Sequence, residues 1–136
     1  MNIESLVAVS GMSGIYRVVG NRNNGLIIEN MDDGKRKFVA ARKHQFSPLE
    51  TISIYTYEDS EPLKDIFTKM KATEETNPPL PTNAPNDELE DYFRSIVNEY
   101  DEFKVKISDI KKVIKWFNYL NERGVFDASP DGGEEE

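Results

Sequence analysis

Residues 14–57 read GIYRVVGNRNNGLIIENMDDGKRKFVAARKHQFSPLETISIYTY, and this stretch decides the fold that we predict. Its β-branched residues occur in short runs that glycine, asparagine and aspartate separate. Asp33-Gly34 is a strong hairpin signal, because this pair adopts the tight turns that join antiparallel strands. We therefore predict a strongly bent β-meander with strands at residues 14–19, 25–31, 35–40 and 52–57.

The composition sets the size and class of the protein. A chain of 136 residues with 38% hydrophobic residues has room for one modest domain, or for a small domain with an appendage. The absence of cysteine excludes disulfides, thiolate nucleophiles and cysteine-based metal sites. No apolar run approaches the length of a membrane span, and the N-terminal residues lack the basic region of a signal peptide. We expect a cytoplasmic protein with no membrane partner.

Charge is distributed unevenly along the chain. Residues 1–57 carry seven basic and five acidic side chains, whereas the remainder carries ten basic and twenty acidic ones. One interpretation is solubility combined with attraction between the two parts. The other is a basic binding face on the β part, for which the acidic part competes.

Two patterns follow the meander. Pro62 precedes a helical apolar stripe, which we predict to pack on the β part. Residues 72–85 then hold four of the seven prolines, which is typical of an extended linker. A PxxP-type ligand at Pro78 and Pro81 is an alternative interpretation. The stripe consists of Leu63, Ile66, Phe67 and Met70.

Residues 86–126 are predicted to form a helical hairpin, with Ser108 as the cap of its second helix. Two helices are too few to be stable alone without a metal or a disulfide. Their apolar faces must therefore dock on the β part or on a second chain. Homo-oligomerisation through this face is one hypothesis that follows. The predicted docking or oligomer face consists of Phe93, Ile96, Val97, Ile110, Val113, Ile114 and Phe117.

The predicted architecture is α+β. An SH3-like β-barrel domain with a terminal helix occupies residues 1–71, and the proline-rich linker occupies residues 72–85. The helical module spans residues 86–126, and residues 127–136 form a disordered acidic tail. The apolar residues between positions 3 and 9 fit either a single helical turn or a first strand.

Three segments of the chain carry a resemblance. They are SG at residues 10–11 with GIY at 14–16, LETISIYT at 49–56, and SDIKK at 108–112 with KWF at 115–117. Together they resemble a family of small, uncharacterised Bacteroidota proteins with an SH3-like N-terminal domain and a short helical C-terminal domain. The resemblance covers most of residues 1–124. It implies the two-part architecture and a cytoplasmic location, and it implies no activity.

No combination of residues indicates catalysis, a cofactor or a metal. His44 is the only histidine, and histidine is the usual general acid or base near neutral pH. No partner for it is evident, which favours a surface or half-buried loop residue. Asp32-Asp33-Gly34 lacks the further oxygen ligands of a calcium loop, so a turn is the better interpretation.

The best functional signal is a pair of basic clusters with aromatic residues nearby. If the clusters converge on one edge, they could bind single-stranded nucleic acid or another partner, with aromatic rings stacking on bases. The alternative is that the aromatic rings fill a small core and the cations surround its rim. The candidate surface consists of Lys35, Arg36, Lys37, Arg42, Lys43 and Tyr55.

We therefore expect a non-enzymatic binding or adaptor module that self-associates through its C-terminal helices. Its partner would be an unidentified protein or a second copy of the chain. A nucleic-acid-binding module that uses the basic clusters is the alternative.

Overall fold

The computed structural model describes residues 3–126 of the chain. It is a mixed α+β structure, and the predicted acidic tail lies outside the described residues. The elements are β1 (Leu6–Val9), β2 (Ile15–Arg22), β3 (Gly25–Asn30), β4 (Arg36–Ala40), β5 (Phe46–Pro48), a 3₁₀-helix (Leu49–Thr51), β6 (Ser53–Tyr55), β7 (Ser60–Pro62), α1 (Leu63–Ala72), α2 (Asn86–Ile96) and α3 (Ile107–Glu122).

The chain divides into two units, an N-terminal unit of residues 3–52 and a C-terminal unit that begins at Ser53. This division differs from the predicted one, which placed the first boundary after residue 71. Helix α1 belongs to the C-terminal unit, because it packs on α2 and α3. Its apolar stripe therefore has a helical partner within its own unit, where the sequence predicted the β part as the partner.

The N-terminal unit is an antiparallel five-stranded sheet in the order β4-β3-β2-β1-β5. The segment at residues 3–9 contains a strand, β1, and so settles the alternative that the sequence left open. The sheet is open, whereas the sequence predicted a barrel. Closure would require the two outer strands to pair, but β5 is only three residues long and ends at Pro48, which has no N–H to extend a ladder.

The core of the N-terminal sheet is built from β-branched side chains on three of its strands. Val7, Val9, Ile28 and Val39 are all buried, and they pack as one cluster. Tyr16 and Phe46 are among the half-buried side chains around this cluster. These two aromatic residues therefore help to cover a core, as one of the two interpretations of the sequence required.

The C-terminal unit has a core of three helices. The Phe117 ring of α3 stacks on the Phe126 ring at 4.9 Å between centroids, and the Phe67 ring of α1 lies 6.1 Å from Phe117. All seven residues of the predicted docking face are buried within this single chain, none more than 4% exposed. They are therefore not available as a surface between copies. The third helix supplies the partner that a two-helix module lacked.

The segment between α1 and α2 contacts the helices on both sides. The Asn77 side-chain amide donates a hydrogen bond to the Ser95 hydroxyl of α2 at 2.9 Å. The Asn121 amide of α3 donates to the Glu74 carboxylate, and its carbonyl oxygen accepts from the Lys71 ammonium at 3.0 Å. The first part of the predicted linker is thus fixed to its own unit by side-chain hydrogen bonds.

A short β-structure completes the C-terminal unit. Strands β6 and β7 form a hairpin, and the chain at residues 99–101 lies beside the end of β6. The Asp101 N–H donates to the Tyr55 carbonyl at 2.9 Å, and the Tyr57 N–H donates to the Glu99 carbonyl at 3.0 Å. None of the helices between residues 3 and 126 has the length and apolar character needed to cross a membrane.

Candidate binding surfaces

Strand β4 is an outer strand of the N-terminal sheet and carries the first basic cluster. Among the described residues it pairs only with β3, so the hydrogen-bonding groups along its other side are open to a further strand. Lys35, Arg36 and Lys37 are all exposed. Arg36 lies opposite Glu29 in the register and forms an ion pair with it at 3.1 Å. Lys35 and Lys37 thus dominate the charge of this edge.

The same three cations line a cleft of about 190 Å³ in the N-terminal unit. Met12 and Tyr16 form part of its lining, and the Tyr16 hydroxyl donates a hydrogen bond to the Ser13 carbonyl at 3.0 Å. An aromatic ring and an apolar side chain therefore lie beside the cations. The cleft can accept an anionic group together with an apolar or planar one.

The turn beside this cleft is held by side-chain oxygens. The Asn30 side-chain oxygen accepts from the Asp32 N–H at 2.7 Å, and the Asp33 carboxylate accepts from the Lys35 N–H at 2.9 Å. These bonds fix the hairpin where the basic cluster begins. They confirm that Asp32-Asp33-Gly34 is a turn.

The second basic cluster lies at the other end of β4. Arg42 lines a separate cleft of about 340 Å³ together with Phe38, Ala40 and Ala41. Lys43 is exposed, and its N–H donates to the Ala40 carbonyl within the turn. A shared binding surface required the two clusters to converge on one edge. The structure instead separates them by the length of β4, with a cleft at each.

Tyr55 lies outside the N-terminal unit that carries the basic clusters. It belongs to the C-terminal unit, where its ring lies 4.8 Å from the Lys104 ammonium nitrogen in a cation–π contact. Its side chain is exposed. Of the predicted surface, the structure therefore brings together Lys35, Arg36 and Lys37.

His44 has a structural environment. Its Nδ1 lies 2.8 Å from the Ser10 carbonyl oxygen, and the Gln45 N–H donates to the Ser10 hydroxyl at 2.8 Å. These bonds tie the end of β1 to the loop that leads into β5. The residue is half-buried in a loop, as the sequence favoured.

Titratable groups in the C-terminal unit are shifted by packing. Burial, with a smaller contribution from the charge of Glu74, raises the pKa of Tyr92 to about 12. The Tyr92 hydroxyl is buried and has no hydrogen-bond partner within residues 3–126. Burial also raises the pKa of Tyr100. Among the described residues, no group of three or more histidine or carboxylate side chains could hold a metal ion.

One exposed feature of the C-terminal unit was not predicted from the sequence, the loop around Phe103. The Phe103 side chain is 82% exposed, the most of any large hydrophobic residue described. The Asp101 carboxylate accepts hydrogen bonds from the N–H groups of Phe103 at 2.9 Å and Lys104 at 3.2 Å. An aspartate is a turn signal, because its side chain can accept a hydrogen bond from the backbone N–H two residues on. That signal could have identified the loop. Phe103, Val105 and Ile107 alternate with Lys104 and Lys106, however, and this pattern suggests a short extended segment instead.

The fold and these surfaces define a two-unit α+β protein. Residues 52–120 match the model of a domain of unknown function (DUF6852), and residues 3–49 match that of a second one (DUF5606). The first match covers just over half of the chain, so the protein belongs to the DUF6852 family. The boundary between the two matched domains, at residues 49–52, coincides with the boundary between the two structural units, at residues 52–53. The predicted membership of an uncharacterised family is confirmed.

A solved structure has a similar fold. It is the solution NMR structure of a protein from Bacteroides vulgatus, determined by the Northeast Structural Genomics Consortium. The two chains superpose with a TM-score of 0.73 at 29% sequence identity, over 91% of this chain and 89% of the other. No curated protein matches the chain.

Proposed function

We propose that the protein is a non-enzymatic binding module whose N-terminal unit takes an extended acidic protein segment along β4. The observation that carries the proposal is an outer strand with three exposed cations and a cleft beside it. An extended segment can add to such a strand through main-chain hydrogen bonds, while side chains at alternate positions provide specificity.

The chemistry of the edge selects an acidic partner. Lys35 and Lys37 are two residues apart, so in an extended strand they lie on the same side. Acidic residues at alternate positions of an added segment would meet both ammonium groups. The charge of Arg36 is already neutralised by Glu29. Met12 and Tyr16 give the cleft the apolar lining that a purely solvated rim of cations would lack.

The SH3-like classification remains part of this proposal. The order β4-β3-β2-β1-β5 returns the last strand to the side of the first, which supports such a relationship although the sheet is open. Because one fold serves many functions, the binding proposal rests on the β4 edge and not on the classification.

A peptide titration tests the proposal. A dye-labelled peptide with alternating glutamate and valine is titrated with the full chain and followed by fluorescence anisotropy, against the same residues in scrambled order. We expect Lys35→Glu/Lys37→Glu to weaken binding about tenfold or more, because two attractive contacts become repulsive. Lys112→Glu/Lys115→Glu on α3 makes the same change in net charge and should leave binding unchanged. If both double variants weaken peptide binding equally, the binding depends on net charge alone, and the proposed role of the β4 edge is refuted.

Single-stranded nucleic acid is a second candidate, favoured by one observation. Tyr16 lines the same cleft as Lys35 and Lys37, which pairs a stacking platform with phosphate-binding cations. Mixed-sequence RNA and DNA oligonucleotides are titrated at about 50 and about 200 mM salt. Binding that weakens with salt and is lost in Tyr16→Leu, with no binding of the acidic peptide, would replace the first candidate by the second.

A further inference from the structure

The loop at residues 101–106 presents an apolar side chain on a rigid support. The Phe103 ring is 82% exposed, yet the backbone around it is held by hydrogen bonds. The Val105 N–H donates to the Asp101 carbonyl at 2.8 Å, and the Lys106 ammonium donates to the Phe103 carbonyl at 2.9 Å. A large apolar group on a preorganised loop loses little conformational entropy when it becomes buried against a partner.

The neighbours of Phe103 extend this surface. Tyr55 and Tyr57, near the end of β6, are 55% and 53% exposed. Glu102 and Lys104 connect them to the loop: the Tyr57 hydroxyl lies 3.4 Å from the Glu102 carboxylate, and the Lys104 ammonium lies 4.8 Å from the Tyr55 ring centroid. Through these contacts three exposed aromatic side chains lie around one loop, and exposed apolar groups gathered in one place are typical of protein interfaces.

The charges around Phe103 specify the partner. The loop reads Glu102-Phe103-Lys104, a negative charge, an apolar ring and a positive charge in succession. Arg94 of α2 also lies 3.5 Å from the Glu102 carboxylate, so this carboxylate would be shared between Arg94 and the lysine of a second copy. If two copies meet around a two-fold axis at Phe103, Glu102 of each copy faces Lys104 of the other and the two rings contact each other. Such an arrangement is self-complementary, as an interface between two identical surfaces must be.

We propose that this aromatic surface is where a second copy of the chain docks, as a two-fold dimer centred on Phe103. The three aromatic side chains of both copies would bury on the order of 800 Å² in total, below the size of a typical stable interface. The dimer is therefore weak and forms as the protein concentration rises. Self-association takes place through this loop, and the buried helical face that the sequence indicated has no part in it.

Sedimentation equilibrium of the full chain between about 10 µM and about 1 mM tests the proposal. We expect the average mass to rise from that of the monomer toward twice that value. Phe103→Ala should raise the dissociation constant about tenfold or more, since the ring is the central anchor. Phe38→Ala makes the same change at an exposed site of the N-terminal unit and should leave association unchanged.

Charge exchange tests the two-fold geometry directly. Glu102→Lys alone places like charges across the axis, and so does Lys104→Glu alone, so each variant should remain monomeric. An equimolar mixture of the two variants should associate, because each cation then faces a carboxylate. Circular dichroism of each variant establishes that it is folded. A wild-type chain that stays monomeric at about 1 mM, or association that Phe103→Ala does not weaken, would overturn the proposal.

Discussion

Replacing Phe117 with alanine removes the ring at the centre of the C-terminal core. Phe117 is fully buried, stacks on Phe126 at 4.9 Å and lies 6.1 Å from Phe67. Truncation of a core phenylalanine costs about 3–5 kcal/mol. Because rigid aromatic rings border the site, little collapse can fill the cavity, and we expect the loss to lie near 4 kcal/mol. Phe117→Leu keeps most of the volume and should cost about 1–2 kcal/mol.

Urea unfolding followed by tryptophan fluorescence measures both losses. Trp116 is the only tryptophan and lies in α3, next to the substituted residue, so its emission reports on the C-terminal unit. Phe103→Ala is the matched control, because it makes the same truncation at a side chain that is 82% exposed. We expect the control to change the free energy of unfolding by less than about 0.5 kcal/mol.

Two results would refute this reasoning. A loss below about 1 kcal/mol for Phe117→Ala would mean that the ring is not enclosed as described. A midpoint of unfolding that rises with protein concentration in the micromolar range, and that still does so in Phe103→Ala, would mean that the helical face is buried between copies, because association then continues without the Phe103 ring.

Three further substitutions test other parts of the structure. Tyr92→Phe removes a buried hydroxyl that lacks a partner within residues 3–126, so thermal unfolding should shift upward or stay constant; a marked loss would point to a hydrogen bond. The pKa of Tyr92 is about 12 in the folded chain and about 10 in the unfolded chain. The contribution of Tyr92 to stability is therefore fully present below about pH 10 and should be lost as the pH rises from about 10 to about 12. In Tyr92→Phe the free energy of unfolding should fall less steeply over the same pH range. Gly25→Ala would place Cβ 2.1 Å from the Val39 carbonyl oxygen and should cost about 1–3 kcal/mol in a denaturant titration; an unchanged midpoint would contradict the close approach of β3 and β4. Asn121→Ala removes the hydrogen bond to Glu74, and limited proteolysis should then cut residues 73–85 faster than in the wild-type chain; an unchanged rate would mean that other contacts hold the segment.

The strands of the meander could be predicted because their signals are local. The Asp33-Gly34 turn and the alternation along residues 35–40 specify a hairpin without reference to the rest of the chain. Closure of the sheet depends on whether β4 meets β5, and no local pattern contains that information. The prediction of a barrel therefore went beyond what the residues determine.

The assignment of α1 failed for a related reason. The spacing of Ile66, Phe67 and Met70 shows that one face of the helix needs a partner, but it does not identify the partner. The face around Phe117 shows the same ambiguity. A helix face that is buried against α1 and one that is buried against a second chain have the same spacing of apolar residues in the sequence. Only the three-dimensional arrangement distinguishes them.

The separation of the basic clusters could have been derived from strand geometry. Lys37 and Ala40, the last residue of β4, lie three residues apart, and an extended chain advances about 3.3 Å per residue, so the second cluster begins about 10 Å from Lys37 along the edge. The exposure of Phe103 is different. An alternating pattern places residues on opposite sides of a strand, but residues 103–106 turn under the control of Asp101, and the alternation there has no structural meaning.

The open edge of β4 also bears on how the protein stays dispersed. The unpaired N–H and C=O groups of an exposed outer strand can pair with the same strand of another molecule, which is the first step of edge-to-edge aggregation. Lys35, Arg36 and Lys37 oppose that step, because two such strands side by side would bring like charges together. The same cations would therefore attract an acidic segment of a partner protein and repel the β4 strand of a second copy of this chain. Acetylation of Lys35 and Lys37 would remove their positive charges, and with them both the attraction for an acidic segment and the repulsion between copies. The β4 strands of different molecules could then pair and extend the sheet.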